Sequence, residues 1–399
     1  MNVLEKIEKM ESVRGKNHDL LLFREWITKA LPYHSSMPKI QVAGTNGKGS
    51  TCRWMSQLVE NCGYKVGMFT SPHLICHTER IMVNSKPISL EDWERIYDMF
   101  EPLFIEKEMT MFEMDLFMAM VYFTEQQVDL AVIECGLGGR LDATTALDYN
   151  ATVITNVGWD HTEYLGTSLE QIAYEKSGIF KPNAFALTTE RKPECQKVME
   201  LVADYFNVML GFVELKYAKK EDTIYFDWNG DKYTFKGPDY QMNNLSLALE
   251  TLNLLGWPLT YDIVQKTLNS FSWPGRFMVL QDNPKVLIEG AHNVDGVEAL
   301  MSALPKWNGK IYFCALKDKD ISGMLERLKQ YNCPIYMIPI DSYRCSNLDQ
   351  YGYPVVSFDE MVKDVKNPQE DILLCGSLYF VGDVLNKLNV KLYRRERSN

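Results

Sequence analysis

The sequence has 399 residues, of which 46% are hydrophobic and 24% are charged, as in an ordinary soluble globular protein. A chain of this length predicts two domains, at roughly 100–200 residues each. The formal net charge of −11 argues against nucleic acid or an anionic membrane as a partner, because sequence-independent binding to either needs a basic surface. The charged amino-terminal segment lacks the apolar core of a signal peptide, and no run approaches the roughly 18 apolar residues of a membrane span.

The nine cysteines are scattered and include no C-x-x-C pair. This usage predicts reduced thiols in a cytoplasmic protein and disfavours a disulfide framework. His73 and His77 lie four residues apart in TSPHLICHTER. Because that segment lacks the pattern of a helix, which would put both rings on one face, we do not expect a zinc pair there.

Short apolar runs and helical segments alternate through the first part of the chain. KIQVAG (39–44) and KVGMFT (65–70) predict strands on either side of a helix. VDLAVIECG (128–136) and ATVITNVG (151–158) are continuous apolar runs, typical of strands inside a parallel sheet. Further helices are expected from Ser89, over the apolar stretch 111–127, and from Ser168, which forms a capping-box pattern with Gln171. This alternation predicts a doubly wound α/β sheet.

The alternation of predicted strands and helices is interrupted after residue 211 and then resumes. TIYFDWNGDKYTFK (223–236) alternates on both sides of Asn-Gly and predicts a β-hairpin, and a helix is expected over 240–256. Beyond Pro274-Gly275, four more runs predict strands: KVLIEGAHN, KIYFCALKDKD, PIYMIPI and DILLCGSLYFVG. We therefore expect two α/β domains, a doubly wound parallel-sheet domain over 1–274 and a smaller Rossmann-like domain over 275–399.

The segment AGTNGKGST (43–51) lies between a predicted strand and a predicted helix, which is the context of a phosphate-binding loop. Its glycines would let backbone N–H groups converge on an anion at the helix N-terminus. Lys48 would reach the terminal phosphates, and Ser50 or Thr51 could bind Mg²⁺. One glycine more than the standard P-loop separates the lysine from the hydroxyl, and a glycine-rich turn with a solvated lysine is the alternative.

Two further polar residues follow predicted strands of the same sheet. Glu134 ends LAVIECG, so it would emerge at the sheet edge beside the loop, where ligands bind in such folds. A carboxylate ending a buried strand is costly without a partner, and carboxylate oxygens suit Mg²⁺. His161, in GWDHTEYLG, follows the next strand in the same way. Together with the loop, both residues indicate a magnesium–triphosphate site.

Eight motifs occur in the order of one known family. They are AGTNGKGST, TSPHL with ERI, ECGLGGRLDATT, DHT, EKSGI, WPGR, EGAHN and KDKD. The chain resembles, from about residue 35 to GSLYFVGDV, a folylpolyglutamate synthase/dihydrofolate synthase of the Mur ligase superfamily. The resemblance implies a nucleotide site at the loop, which would make residues 1–274 a P-loop ATPase domain. It also implies a reaction in which ATP phosphorylates the carboxylate of a folate or dihydropteroate, L-glutamate attacks the acyl phosphate, and ADP and phosphate leave. We expect a cytoplasmic monomer.

The resemblance implies roles for individual residues, with two magnesium sites. Lys48, His161, Lys176, Arg276 and His292 are the implied catalytic residues. Metal ligands would be Ser50 and Glu134 at one site and His161 and Lys176 at the other, with Ser71 nearby. In the family the lysine at the position of Lys176 is carbamylated. Nucleotide contacts would come from Thr45, Asn46, Gly47, Lys48, Gly49, Ser50, Thr51, Asn244, Arg276, Glu289 and His292. The pterin side would involve Arg80, Phe112, Arg140, Asp142 and Ala143.

The chain departs from the family pattern at four positions. Glu289 stands where the family usually has Asp, Tyr240 where it has His, and Leu245 where it has Ala, all on the nucleotide side. Thr145 replaces the usual Asn on the folate side, which leaves open whether dihydropteroate, folates or both are accepted.

Three other functions are compatible with parts of the sequence. A Mur-type ligase would add an amino acid to another carboxylate acceptor, against which LGGRLDATT and TSPHL argue. A P-loop kinase for a small molecule would need neither the second domain nor Lys176. A binding protein regulated by ATP would bind the nucleotide without turnover.

Overall fold

An eight-stranded sheet organises the first half of the protein. The computed structural model of the whole chain describes residues 2–13, 15, 19–32, 36–340 and 348–393. The order is β4-β3-β2-β5-β1-β6-β7-β8. The strands from β2 to β8 in this order all pair in parallel. At the other edge, β3 pairs antiparallel with both β2 and β4. The predicted doubly wound parallel sheet is confirmed. The strands are β1 Lys39–Ala43, β2 Val66–Phe69, β3 Ile81–Val83, β4 Lys86–Pro87, β5 Leu130–Glu134, β6 Ala151–Ile154, β7 Phe185–Thr188 and β8 Met209–Phe212.

Both faces of this sheet are covered by helices. Successive side chains of a strand point to opposite faces, so Leu130 and Val132 of β5 pack in one cluster with Trp54, while Ala131 and Ile133 pack in another with Phe117. The helices are α1 Val3–Ser12, α2 Leu20–Ala30, α3 Lys48–Asn61, α4 Leu90–Glu106, α5 Met111–Glu125, α6 Thr162–Leu165, α7 Leu169–Ser177, α8 Pro193–Phe206, α9 Gln241–Leu254 and α10 Tyr261–Ser270. In the described ranges no helix is long and apolar enough to cross a bilayer.

The start of α7 differs in detail from the predicted capping box. The Ser168 side chain accepts a hydrogen bond from the Gln171 N–H, as expected. The Gln171 side chain, however, accepts from the N–H of Thr167 at 2.7 Å and not from that of Ser168. The reciprocal half of the motif is therefore displaced by one residue, because the glutamine reaches past the cap.

A small antiparallel sheet contains the predicted hairpin. It consists of β9 Tyr217–Lys220, β10 Thr223–Trp228 and β11 Asp231–Phe235. Trp228 pairs with Asp231 across the turn. Asn229 (φ 49°) and Gly230 (φ 86°) both have left-handed backbones, which matches the twist of the flanking strands. The Asn-Gly prediction is confirmed.

The last part of the chain forms a five-stranded sheet in the order β12-β13-β16-β14-β15, parallel except for the β12–β13 pair. The segment DILLCGSLYFVG was predicted to be a strand, which is wrong beyond Cys375. Gly376 has φ 111°, and the Ser377 side chain then caps a helix by accepting from the Tyr379 N–H. The strands are β12 Met278–Asp282, β13 Lys285–Glu289, β14 Lys310–Phe313, β15 Ile335–Met337 and β16 Ile372–Cys375, with helices α11 Val294–Ala303, α12 Ile321–Leu328, α13 Phe358–Lys366 and α14 Leu378–Lys387.

Candidate active site

A cavity of about 560 Å³ lies between the two parallel sheets. Residues that follow β1, β5 and β6 line it on one side, and residues that follow β13 and β16 line it on the other. Carboxyl ends of parallel strands are where ligands bind in such folds. The structure brings together here most of the residues predicted from the sequence: Thr45, Asn46, Gly47, Lys48, Gly49, Ser50, Ser71, Glu134, His161, Lys176, Asn244, Arg276, Glu289 and His292.

The glycine-rich loop runs directly into α3. Gly47 is the N-cap residue, has φ 84°, and provides no capping side chain, so the N–H groups of the first helical turn stay available to an anion. The Lys48 Nζ donates to the carbonyls of Gly44 at 3.1 Å and Thr45 at 3.3 Å. This folds the lysine over the loop, as a phosphate-binding site requires.

The two candidate hydroxyls of α3 have different surroundings. Ser50 lines the cavity, whereas Thr51 does not. Thr51 is fully buried, and its Oγ1 lies 3.4 Å from Asn244 Oδ1. Of the two hydroxyls, that of Ser50 is the one placed to face a metal.

Glu134 ends β5 at the bottom of the cavity. Its Oε2 accepts a hydrogen bond from the Ser71 N–H at 3.1 Å. Burial raises the pKa of Glu134 to about 7, against the opposing attraction of the Lys48 ammonium. A buried carboxylate with two hydroxyl-bearing residues, Ser50 and Ser71, around the same cavity is a set of hard oxygen donors that fits Mg²⁺.

Lys176, near the end of α7, is 2% exposed and lines the same cavity. Burial, followed by repulsion from the Lys48 ammonium, lowers the pKa of Lys176 to about 7. A buried amine close to neutrality is a reactive group, and such groups concentrate at functional sites. His161 precedes α6 in a left-handed conformation (φ 50°), and its side chain is 38% exposed.

The second sheet contributes positive charge and an imidazole. Lys319 donates to Asp160 Oδ1 at 2.6 Å, and both side chains are almost buried. Burial would raise the pKa of Asp160, but the Lys319 ammonium overcomes this and lowers it to about 2. His292 Nδ1 lies 3.0 Å from the Gly290 carbonyl, so Nδ1 carries the proton. Burial and the Arg276 guanidinium lower the pKa of His292 to about 4, which leaves Nε2 as an acceptor.

Direct hydrogen bonds join the phosphate-binding loop to the second sheet. Asn46 and Asn293 exchange two side-chain hydrogen bonds, at 3.2 and 3.0 Å. The Asn293 Nδ2 also lies 3.4 Å from Asp160 Oδ2. Asp160, Asn293 and Lys319 lie in the motifs DHT, EGAHN and KDKD, but the sequence alone does not indicate these contacts.

Asn244, on the first turns of α9, packs against the phosphate-binding loop. Its Nδ2 donates to Gln241 Oε1 at 3.1 Å, and Trp54 Nε1 donates to the same oxygen at 3.0 Å. A Cβ on Gly47 would lie 2.3 Å from Asn244 Oδ1. Glycine is thus required at position 47 for steric reasons as well as for its φ. Gln241 is a further residue of this contact that no sequence motif indicates.

The residues predicted for the pterin side lie beside this cavity and not in it. Phe112 packs over Gly136, where a Cβ would lie 2.8 Å from the ring. Asp142 accepts from the Leu137 N–H at 2.9 Å and, just before Ala143, from the Thr144 N–H at 3.0 Å. These three predicted residues therefore border the loop that follows β5.

The two arginines predicted for the pterin side lie apart. Arg140 is 42% exposed and pairs with Glu175 Oε1 at 2.8 Å. Arg80 is buried, donates to His73 Nδ1 at 3.1 Å, and lines a second cavity of about 240 Å³ together with Lys319 and Ser377.

Comparisons with known proteins show the family. Residues 42–250 match the model of the Mur ligase middle domain. The dihydrofolate synthase/folylpolyglutamate synthase of Escherichia coli K12 is 31% identical, with 96% of this chain and 94% of the relative aligned. That of Bacillus subtilis is 33% identical, with 87% and 89% aligned. The chain belongs to the dihydrofolate synthase/folylpolyglutamate synthase family.

Solved structures agree with this assignment. E. coli FolC in complex with DHPP and ADP has a TM-score of 0.87 and 30% identity, and the match covers 98% of each chain. The Yersinia pestis enzyme complexed with AMPPNP and Mn ion has a TM-score of 0.88 and 26% identity, again over 98% of each chain. The protein is an ATP-dependent ligase that adds glutamate to folates. The family and the enzyme class predicted from the motifs are confirmed.

Near this ligase site, the structure groups Glu11, His73 and His77, whose ligand atoms lie within 4.8 Å of one another. His77 Nδ1 lies 2.8 Å from Glu11, and its Nε2 lies 2.6 Å from the buried Asp115. Burial would lower the pKa of His77, but these carboxylates raise it to about 9. An imidazole protonated on both nitrogens offers no lone pair to an ion, and Arg80 occupies Nδ1 of His73. The cluster is therefore an ion-pair network in this structure.

Proposed function

We propose that this ligase binds ATP between its two sheets and phosphorylates the terminal carboxylate of dihydropteroate or of a folate, and that L-glutamate then captures the acyl phosphate. The observation that supports this most strongly is the cavity that joins Lys48 and Glu134 to Arg276 and His292. We propose further that the chain divides at about residue 275 into two domains and acts as a cytoplasmic monomer.

Mg²⁺ would be held at one site by the hydroxyls of Ser50 and Ser71 and by Glu134. The metal supplies neutralisation of the triphosphate charge. The fit rests on Glu134, a buried carboxylate whose ionised form is disfavoured by its surroundings and which would regain that form beside a cation. Thr51 is left out of this proposal because its hydroxyl faces Asn244.

Lys176 and His161 would form the second metal site, with Lys176 carbamylated. The described residues provide no hydrogen-bond or ion-pair partner for the Lys176 ammonium, although it is 2% exposed. An uncharged lysine amine adds to carbon dioxide and releases one proton, which gives a carbamate with anionic oxygens. Carbamylation would thus replace a buried cation that repels a metal with a donor that binds one.

Lys48 and Arg276 would stabilise the charge that moves as the acceptor carboxylate attacks the γ-phosphorus and ADP departs. The amine of glutamate then attacks the acyl carbon, phosphate leaves, and the nitrogen loses its proton. Because His292 Nε2 is an acceptor, we assign it to a donor such as a ribose hydroxyl and not to a phosphate oxygen. Asn244 would lie on the adenine side.

The cavity of about 240 Å³ would receive L-glutamate. Arg80 and Lys319 line it and are paired with Asp115 at 3.4 Å and Asp160 at 2.6 Å. The two carboxylates of the amino acid would share these cations with the aspartates. The pterin would lie by Phe112, Asp142 and Ala143. Arg140 would be available to the acidic tail of a polyglutamate only if it leaves Glu175.

The decisive experiment measures phosphate release with tetrahydrofolate or dihydropteroate, with and without glutamate, and weighs the product. Glutamate-dependent release and a mass increase of one glutamyl group are expected. Release that is indifferent to every pterin would refute the proposal.

The carbamate has its own test in Lys176→Ala, which should abolish turnover and regain part of it with a short carboxylic acid. Lys39→Ala is the matched control, because Lys39 is also a buried lysine but donates to the Met37 carbonyl at 2.6 Å, outside the cavity. It should neither abolish turnover nor respond to the acid. Failure of rescue in Lys176→Ala would count against the carbamate alone.

A further inference from the structure

Two of the four positions at which the chain departs from the family pattern touch each other. The Tyr240 hydroxyl donates to Glu289 Oε2 at 2.7 Å. Tyr240 immediately precedes α9 and Glu289 ends β13, so the bond crosses from the side of the first sheet to the second. Glu289 is 4% exposed, and both residues line the large cavity.

The same carboxylate oxygen holds the turn that carries Arg276. Glu289 Oε2 also accepts from the Phe277 N–H at 2.9 Å. Phe277 has φ 46°, a left-handed conformation that a bulky side chain rarely adopts and that needs support from its surroundings. The Gly290 N–H adds a bond to the Gly275 carbonyl at 2.8 Å. The end of β13 thus determines the backbone on both sides of Arg276.

At the other end of the bond, α9 is tied to the phosphate-binding loop. Gln241, the residue after Tyr240, lies 3.4 Å through its Nε2 from Ser50 Oγ. Asn244 contacts Gly47 closely enough to exclude any side chain there. These contacts of α9 do not involve the Tyr240 hydroxyl, whose bond to Glu289 is the link to the Arg276 turn.

We propose that Tyr240 is a positioning residue that holds Arg276 toward the phosphates through Glu289. Tyr240 takes no part in the chemistry. It fixes one oxygen of Glu289, that oxygen fixes the Phe277 N–H, and the turn then presents the guanidinium from the second sheet to a nucleotide bound on the first. The inference rests on the proposed role of Arg276 in binding ATP phosphates.

The test is a double-mutant cycle on kcat with Tyr240→Phe and Arg276→Ala. Tyr240→Phe removes only the hydroxyl, and we expect kcat to fall about tenfold while KM for glutamate changes less than twofold. In the Arg276→Ala background, Tyr240→Phe should change the residual kcat less than twofold, since there is no guanidinium left to position. Glu289→Gln keeps an acceptor oxygen and should be milder than Glu289→Ala.

Tyr312→Phe is the matched control, because its hydroxyl also donates to a carboxylate, Asp364 Oδ2 at 2.6 Å, but away from the cavity. It should leave kcat within twofold of the wild type. Pairing Tyr240→His with Glu289→Asp should give a higher kcat than either change alone. An equal loss from Tyr240→Phe in both backgrounds, or no loss at all, would overturn the inference. A silent Arg276→Ala would instead overturn the role of Arg276.

Discussion

The strongest electrostatic prediction concerns Glu134→Gln in the metal-free protein. Burial raises the pKa of Glu134 from its ordinary 4.5 to about 7. Below pH 4.5 the carboxyl group is neutral in both the folded and the unfolded chain, so its burial does not depend on pH. Between pH 4.5 and 7 the unfolded chain ionises first, and the folded state is penalised increasingly as the pH rises. The glutamine side chain of the variant does not titrate, so the variant escapes this penalty.

The size of the effect follows from the two pKa values. The difference between 4.5 and about 7 corresponds to about 3 kcal/mol at pH 8, at about 1.4 kcal/mol for each tenfold change in proton affinity. At pH 5 the same linkage between protonation and folding penalises the folded state by about 1 kcal/mol. Glu134→Gln should therefore gain about 2 kcal/mol of unfolding free energy relative to the wild type between pH 5 and pH 8.

Urea unfolding of both proteins at the two pH values, with a chelator present, measures this difference. Any pH-independent cost of the substitution itself cancels in the comparison. Mg²⁺ with a nonhydrolysable ATP analogue should then stabilise the wild type more at pH 8 than at pH 5. The same addition should not stabilise the Glu134→Gln variant at either pH. An equal stability difference at both pH values would show that Glu134 ionises normally, and the conclusion that burial raises its pKa would be wrong.

Two other variants test the loop and the contact between the sheets. Gly47→Ala places a Cβ 2.3 Å from Asn244 Oδ1 at φ 84°, which should strain the loop by about 1–2 kcal/mol. Steady-state kinetics should therefore show that KM for ATP rises at least about tenfold. An unchanged KM would contradict the close packing. Lys319→Met leaves Asp160 buried without its cation and should cost about 3 kcal/mol at pH 7. Because the Asp160 pKa is about 2, that loss should fade as the pH falls from 4 toward 2, and a pH-independent loss would refute the pairing.

Local signals in the sequence were sufficient for most of the elements. The Asn229-Gly230 pair dictates its turn because few other residues adopt two successive left-handed conformations. The prediction of a strand after Cys375 was wrong because Tyr, Phe and Val favour strands by propensity. In the structure a single serine cap starts a helix there. Propensity is a weak guide where one capping side chain decides the backbone.

The residues of the site also fall into two groups, those whose proximity the sequence predicts and those whose proximity it does not. Residues of one loop or one strand end, such as Lys48 and Glu134, could be placed together because the carboxyl ends of neighbouring parallel strands meet. The Asp160–Lys319 and Tyr240–Glu289 pairs could not be predicted from the sequence. Their geometry depends on how the second sheet docks against the first, and nothing in either segment alone encodes that arrangement.

Protonation and ligand binding must be linked in this cleft. Glu134 and Lys176, with pKa values displaced toward each other by burial to about 7, are both held near the point at which they lose their charge. A cation beside Glu134 would favour its anion and release a proton, and carbamylation of Lys176 would release another. The same burial that destabilises the ionised groups in the free protein therefore makes them respond strongly to the metal and the nucleotide. We expect binding to tighten with rising pH through 7 for that reason, and not through any change in the phosphate-binding loop itself.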